Sequence, residues 1–352
     1  MSHRHEVLGP NTPPLAFPDL VKESPWSPAK TPASPQNVNP DATQVALPIS
    51  PRVKPGLESP TESEPSFDTL LLKDLENAKE VHKAFFPRQN LSIPGLVCHT
   101  FCQPARYIGG DYYDFLPLLG GRWGIAIGDV SGKGIGAALL MASLQASLRA
   151  QAMHAHADLS TLISDVHRMV LAASSGHHFA SLFYSEYDAA TRELQYVNAG
   201  QNPPLVLRRK NEQCDVFYLE TNAVPLGLLE GTEFFSNSFQ LENGDVLVLY
   251  TDGITESESP SGELWGQERL EILLQACCDS TPCQIVRLVL EDVLAFVQDC
   301  SQKDDMTLVV VRVEGQNLVA LSAANAVGCS PPPFVAARSG PYQHYPSVPK
   351  GC

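Results

Sequence analysis

The fold of this chain is decided by residues 123–150, which read WGIAIGDVSGKGIGAALLMASLQASLRA. The first eight, Trp123–Val130, form an apolar run of strand length, and the glycine-rich turn 131–134 follows them. A strongly helical run, Ile135–Ala150, comes next. Asp129 lies at the point where the strand ends, and carboxylates at such ends project into loop space, where sites are commonly built.

Strand-like runs and helical runs continue this pattern along the chain. Strands are predicted at 96–102, 111–116, 180–187, 193–198, 205–209, 215–219, 233–240, 246–250 and 306–313, and further helices at 159–173, 267–277 and 282–297. Short strands joined by tight turns favour antiparallel pairing. We therefore predict an α+β fold, a four-layer α-β-β-α sandwich with two mainly antiparallel sheets flanked by helix pairs.

Proline divides the chain into an ordered centre and two tails. Of the 29 prolines, 14 lie in residues 1–66 and 6 in residues 315–352. Segments of that composition bury too little apolar surface to fold. We predict a disordered N-terminal segment (1–66), a linker helix (67–87), a catalytic domain (88–314) and a low-complexity tail (315–352) with a weak helix near 318–326.

Charge and hydropathy exclude several classes of protein. The formal net charge is −15 and the pI is about 5.0, which makes a nucleic-acid partner unfavourable. No apolar run approaches the roughly 20 residues that span a bilayer. No apolar stretch follows the N-terminal Met-Ser-His-Arg-His, so the sequence predicts no secretory signal. The nine cysteines include no CxxC pair. Reduced buried thiols are favoured over a zinc site, and the sequence predicts a cytoplasmic protein without a membrane span.

The segment 67–87 has the spacing of an amphipathic helix that stops at Pro87. Positions 71, 75, 78, 82 and 85 approximate a short heptad seam, with His82 as its polar member. Two interpretations stay open at this point. The helix packs on its own domain, or it forms a signalling or homodimer contact.

Four aspartates stand at abrupt chain reversals. Asp111 follows two glycines and opens a strand, Asp129 and Asp252 each end one, and Asp304, with Asp305 beside it, directly precedes another. Carboxylates that converge repel each other and need a cation to stay ionised together. Oxygen ligands without nearby His or Cys select Mg²⁺ or Mn²⁺ over zinc.

Seven segments in this order resemble the metal-dependent protein phosphatases, the PPM or protein phosphatase 2C-like enzymes. The resemblance is closest to their bacterial SpoIIE/RsbU-type branch. The segments are Gly109–Phe115, Gly128–Gly134, Phe179–Phe183, Asn198–Pro204, Pro225–Gly227, Tyr250–Glu256 and Asp304–Thr307. The helix that ends at Phe85-Phe86-Pro87 also resembles the linker helix that precedes the catalytic domain in this family.

The resemblance implies a binuclear Mn²⁺ or Mg²⁺ centre at the edge of a β-sandwich. Asp129 would bridge both ions, the Val130 carbonyl would ligate one, and Asp252 and Asp304 would hold the other. Asp111 would act through metal-bound water. A third ion sometimes forms in such enzymes, and Asp305 or Asp114 would then contribute.

The implied activity is hydrolysis of phosphoserine or phosphothreonine in a protein by water that the two metals activate. By resemblance, the substrate is an anti-sigma-factor antagonist in a partner-switching pathway. Two alternatives stay open: a catalytically silent binding module of the same fold, and a hydrolase of small phosphoesters.

Other polar residues are weaker candidates. The spacing around Lys133 is not that of a nucleotide P-loop. Arg106 is either a surface residue or a contact to substrate phosphate. His154, His156 and the pair His177-His178 could assist proton transfer, although a solvated helix end explains the first two.

Overall fold

The computed structural model describes residues 66–87, 93–154, 158–174 and 178–315. The predicted N-terminal segment and nearly all of the predicted C-terminal tail, including its helix near 318–326, lie outside these residues. None of the helices in the described ranges is both long and apolar enough to cross a membrane.

Ten strands and six α-helices make up the described part of the chain. The strands are β1 (Leu96–Gln103), β2 (Tyr112–Pro117), β3 (Arg122–Val130), β4 (Ala180–Asp188), β5 (Glu193–Ala199), β6 (Leu205–Lys210), β7 (Gln213–Tyr218), β8 (Asn237–Gln240), β9 (Val246–Tyr250) and β10 (Met306–Val313). The helices are α1 (Phe67–Lys83), α2 (Ile135–Ala152), α3 (Leu159–Ala173), α4 (Asp252–Thr255), α5 (Gln267–Ala276) and α6 (Pro282–Val297).

The strands form two five-stranded sheets. One has the order β1-β10-β9-β6-β7 and the other the order β2-β3-β4-β5-β8, and every pair of neighbouring strands is antiparallel. β9 and β10 are neighbours in the first sheet, and β2 and β3 are neighbours in the second. Asp111 therefore precedes β2 and Asp129 lies near the end of β3, its neighbour, while Asp252 follows β9 and Asp304 precedes β10, its neighbour.

Three apolar cores hold these elements together. One joins β2–β5 to α2 and α3, through residues such as Met141 and Leu162. A second lies between the sheets and contains Phe183 and Val309. The third joins β6, β9 and β10 to α5 and α6. Each sheet thus has one face toward the other sheet and one face toward a helix pair, which confirms the predicted α+β sandwich.

Helix α1 touches the rest of the fold through its C-terminal end. The His82 ring is buried, and its Nε2 lies 3.1 Å from the carbonyl oxygen of Gly109. The Phe86 ring stacks on Tyr113 at 5.2 Å between centroids. Leu71, near the N-terminal end, is 39% exposed. The seam is thus buried only toward its C-terminal end.

One predicted strand was too long, and one short helix was not predicted. The strand predicted at 233–240 is present only as β8, because residues 233–236 form no sheet pairing. The short helix α4, which begins at Asp252 itself, was not predicted. Its four residues are too few to show a helical period.

Candidate metal centre

The two sheets meet at Asp111. Its Oδ2 accepts a hydrogen bond of 2.8 Å from Thr251 Oγ1 and one of 2.6 Å from Thr307 Oγ1. Asp111 immediately precedes β2, whereas the threonines lie after β9 and within β10, so the bonds connect opposite sheets. The carboxylate is almost completely buried, at 3% exposure.

Mutual repulsion shows that the other predicted aspartates converge on the same place. Burial, together with the charges of Asp252, Asp304 and Asp305, raises the pKa of Asp129 to about 8, and burial is the largest of these causes. Burial also raises the pKa of Asp252, with the Asp304 charge next in importance. The pKa of Asp111 is also raised, and burial is the largest cause, followed by the charge of Asp129. A bound cation would relieve this repulsion.

Lys133 supplies a positive charge within this group. Its Nζ donates to Asp304 Oδ2 at 2.6 Å and to the Lys303 carbonyl at 2.6 Å. Its charge lowers the pKa of both Asp129 and Asp252. The glycine-rich turn after Asp129 therefore carries a counter-ion for the carboxylates.

Glycines bring the backbone close to these groups. A Cβ on Gly110 would lie 2.8 Å from the Val130 carbonyl oxygen, and a Cβ on Gly109 would lie 2.2 Å from Asp305 Oδ2. On Gly253 it would lie 1.9 Å from the Asp305 carbonyl oxygen. These approaches explain why glycine precedes Asp111 and follows Asp252.

Asp304 and Asp305 have different surroundings. The two Asp305 oxygens accept the backbone N–H groups of Ala105 and Gly110, each at 2.7 Å. Asp305 thus fastens the loop that leads to Asp111. Asp304 is more exposed and its Oδ2 bonds to the flexible Lys133 side chain. Of the two, Asp304 is the better placed to take up an ion.

Asp114 lies apart from the carboxylate cluster, which consists of Asp111, Asp129, Asp252 and Asp304. It shares a face of β2 with Tyr112, whose hydroxyl donates to it at 2.9 Å, and Arg149 of α2 bonds to both of its oxygens. These partners satisfy a buried charge on the helix side of the sheet. The structure thus gives no support to Asp114 as a ligand of a third ion.

Of the remaining sequence candidates, Arg106 and His178 lie near the turn after Asp129, and His154 lies at the far end of α2. Arg106 is exposed, and its Cδ would lie 3.4 Å from a Cβ on Gly134. His178 Nδ1 lies 3.1 Å from the Ser131 carbonyl oxygen. His154 Nδ1 lies 2.6 Å from the Ala150 carbonyl at the end of α2. His156 and His177 fall outside the described residues.

Sequence reasoning missed the neutral residues that support the site. Thr251 and Thr307 were passed over, although each is close to a selected aspartate in sequence. Gln201 was also missed: its Nε2 donates to the Tyr250 carbonyl at 3.1 Å, and its Oε1 accepts from Ser181 Oγ, which also bonds to the Asp129 carbonyl at 3.3 Å. The signal was present in the sequence, because the family-like segments 179–183, 198–204, 250–256 and 304–307 contain these residues.

The donor set fits Mg²⁺ or Mn²⁺, because it consists of carboxylates and a backbone carbonyl. In residues 66–87, 93–154, 158–174 and 178–315, however, no three Asp, Glu, His or Cys side chains stand ready to ligate one ion. Asp304 bonds to Lys133 and to the Asp305 N–H, and Asp305 bonds to two amides. An ion that approached Asp304 Oδ2 would therefore compete with Lys133 for that oxygen.

Comparison with known proteins identifies the family. A profile described as Stage II sporulation protein E (SpoIIE) matches residues 119–314, more than half of the chain. The chain belongs to the SpoIIE family. The resemblance inferred from the seven motifs is thereby confirmed.

Relatives and solved structures agree with this membership. This SpoIIE-family chain is 30% identical over 213 residues to the phosphoserine phosphatase RsbU of Bacillus subtilis, covering 59% of this chain and 61% of RsbU. It spans less than two thirds of the length of the first curated relatives that it matches.

The solved structures show the same fold. The SiaA-PP2C domain of Pseudomonas aeruginosa aligns with a TM-score of 0.61 at 17% identity, over 70% of this chain and 98% of that one. The RsbU and RsbW domains of a Mycobacterium tuberculosis protein align with a TM-score of 0.54 at 29% identity, over 63% of this chain and 61% of that one.

Proposed function

We propose that this chain is a protein serine/threonine phosphatase that depends on two Mn²⁺ or Mg²⁺ ions. The observation that carries the proposal is the group of carboxylates around Asp129. The pKa of Asp129 is raised to about 8 by burial and by the charges of three further aspartates. The ionised state of such a group is energetically unfavourable unless the group binds cations.

The residues have separate roles in this proposal. Asp129, the Val130 carbonyl, Asp252 and Asp304 hold the ions. When bound, the ions supply positive charge for a phosphate dianion and an acidified water. Asp111, oriented by Thr251 and Thr307, is positioned to accept a hydrogen bond at the reacting centre. Asp305 keeps the loop before Asp111 in place.

No side chain of the chain needs to act as a nucleophile. Among the free cysteines of the described residues, burial raises the pKa of the Cys98 and Cys277 thiols to about 11, so they are protonated at neutral pH. Protonated thiols are poor nucleophiles. A cysteine-phosphatase mechanism therefore finds no support at these positions.

The substrate is proposed from the relatives. RsbU is named a phosphoserine phosphatase, and the solved M. tuberculosis chain joins an RsbU domain to an RsbW domain. We infer a phosphorylated anti-sigma-factor antagonist, dephosphorylated in the cytoplasm as part of partner switching. The alternatives are a silent binding module and a hydrolase of small phosphoesters.

A phosphate-release assay tests the proposal. A phosphoserine protein and a small aryl phosphate are each incubated with the full chain, with Mn²⁺ or with EDTA. We expect metal-dependent release from the phosphoprotein, abolished in Asp129→Asn and Asp252→Asn, which remove a ligand charge and no core packing. Asp279→Asn, at an exposed carboxylate paired with Arg209, serves as the control.

Each alternative has its own outcome. Release from the aryl phosphate alone would favour a small-phosphoester hydrolase. No release from either compound would favour the silent module. Near-wild-type turnover by a folded Asp129→Asn or Asp252→Asn at saturating Mn²⁺ would refute the metal assignment.

A further inference from the structure

A cavity of about 240 Å³ opens beside the carboxylate cluster. Asp304 lines it, and so does Gly253, which follows Asp252. A phosphate bound to ions at these carboxylates would therefore lie next to this cavity. Small-molecule sites usually measure roughly 300–1,000 Å³, so the space suits one long side chain better than a cofactor.

The cavity has an apolar part. Val293 and Val297 of α6 line it together with Met306 at the start of β10, and Leu264 contributes a wall that is 53% exposed. Val293 and Met306 are otherwise fully enclosed in the core. A hydrocarbon stem that entered would cover exposed apolar surface of Leu264 and Val297, because Val293 and Met306 are already 0% and 2% exposed.

Two ion pairs and one further carboxylate line the cavity. Lys303 is paired with Glu258, and Lys133 with Asp304. Glu256 also lines the cavity and is exposed, and its carboxylate makes no hydrogen bond or ion pair within the described residues.

We propose that this cavity is a specificity subsite for a basic side chain, arginine or lysine, next to the phosphorylated residue of the protein substrate. The proposal rests on the proposed phosphatase function. The methylene stem packs on Val297 and Leu264 while the cation reaches Glu256, which matches the way long basic side chains bury their stems and keep their charge near water.

Phosphoserine peptides test the subsite. One arginine is moved through the three positions on each side of phosphoserine in an alanine background, and kcat/KM is measured with Mn²⁺. We expect one register to exceed the all-alanine peptide by about fivefold, the size of a partly screened ion pair. Glutamate at that position should lower kcat/KM below the alanine value.

Two variants test whether the preference for arginine arises in the cavity. Glu256→Gln keeps the shape of the side chain and should remove the preference for arginine, while hydrolysis of an aryl phosphate without flanking residues stays unchanged. Glu212→Gln, at an exposed carboxylate in the turn between β6 and β7, should keep the preference.

Cys300 gives a readout that does not need turnover. It is a free, half-buried thiol that lines the cavity. The arginine peptide should slow its alkylation by iodoacetamide, followed by mass spectrometry of the Cys300 peptide, and should do so less in Glu256→Gln.

The outcomes separate the two proposals. Equal kcat/KM and equal protection for arginine and alanine peptides in every register would overturn the subsite, even with an active phosphatase. A preference for glutamate would overturn it as well. Absence of all phosphate release would refute the phosphatase, and the alkylation comparison would still decide whether the cavity takes a basic side chain.

Discussion

Lys133 Nζ lies 2.6 Å from Asp304 Oδ2, so a side chain of the glycine-rich turn occupies the carboxylate that is proposed to hold an ion. The residues are 171 positions apart in sequence and meet only because the β3–α2 turn faces the start of β10. We therefore propose that Lys133 competes with the metal for Asp304.

Removal of this competitor should strengthen metal binding. We expect Lys133→Met to lower the Kd for Mn²⁺ by about three- to fivefold, since a partly exposed ion pair is worth up to about 1 kcal/mol. Isothermal titration calorimetry measures the change. Lys210→Met, at a lysine 3.8 Å from Asp215, is the control. Unchanged or weaker binding would contradict the competition.

The buried carboxylates should make the metal-free protein less stable as pH rises. The pKa of Asp129 is raised by burial and by neighbouring aspartates from 3.8 to about 8, so between these values the folded state binds more protons than the unfolded state. Its stability therefore falls with increasing pH across that window.

Thermal unfolding in EDTA measures this dependence. From pH 6 to pH 8.5 the Tm of the wild-type chain should decrease, and Asp129→Asn should flatten the decrease because Asn carries no titrating proton. Saturating Mn²⁺ should reverse the trend, since ligands bind better when deprotonated. A rising metal-free Tm in this range would show that repulsion among the aspartates is not significant.

The two threonines that orient Asp111 should act together. Thr251→Val and Thr307→Val each remove a hydrogen bond to a buried carboxylate, at a cost of about 1–3 kcal/mol in the free energy of unfolding. Activity should also fall. Because both bond to one oxygen, urea unfolding of the double variant should show non-additive losses. Thr100→Val, whose hydroxyl bonds to Tyr113, is the control outside the cluster. Strict additivity would imply that the two bonds are independent.

The seam of α1 should set oligomeric state and activity together. Leu71 is exposed and Leu75 is half-buried, whereas His82 touches the carbonyl of Gly109, two residues before Asp111. We propose that the seam forms a homodimer or partner contact that reaches the site through this end of the helix. A change there could shift the Asp111 loop between two states.

Replacement of Leu71 and Leu75 by glutamate tests this contact. Light scattering and phosphate release should change together, because buried charges in the seam are strongly unfavourable. Leu72→Glu alters an exposed residue outside the seam and is the matched control. Wild-type mass and activity in the double variant would make α1 ordinary surface structure.

A chain limited to residues 67–314 should fold and retain basal activity, because the proline-rich tails are proposed to contribute no core. Circular dichroism and metal-dependent phosphate release check both points against the full chain. Insolubility of the shorter chain beside a folded full chain would show that the proposed boundaries are wrong.

Local sequence determined the elements of this protein. The apolar run before Asp129 and the helical run after it became β3 and α2, and α6 begins at Pro282 and ends at Val297 as predicted. Short-range sterics and hydrophobic period set such elements, so they can be recognised without knowing the fold. The strand-end position of each aspartate, and hence the candidate site, was visible for the same reason.

Only the tertiary structure decided how those residues differ. The pairing of Asp111 with Thr251 and Thr307 spans 140 and 196 residues and depends on the approach of two sheets. The same packing commits Asp305 to backbone amides and leaves Asp304 to Lys133. Neighbouring aspartates are alike in sequence, and their roles separate only when long-range packing supplies different partners.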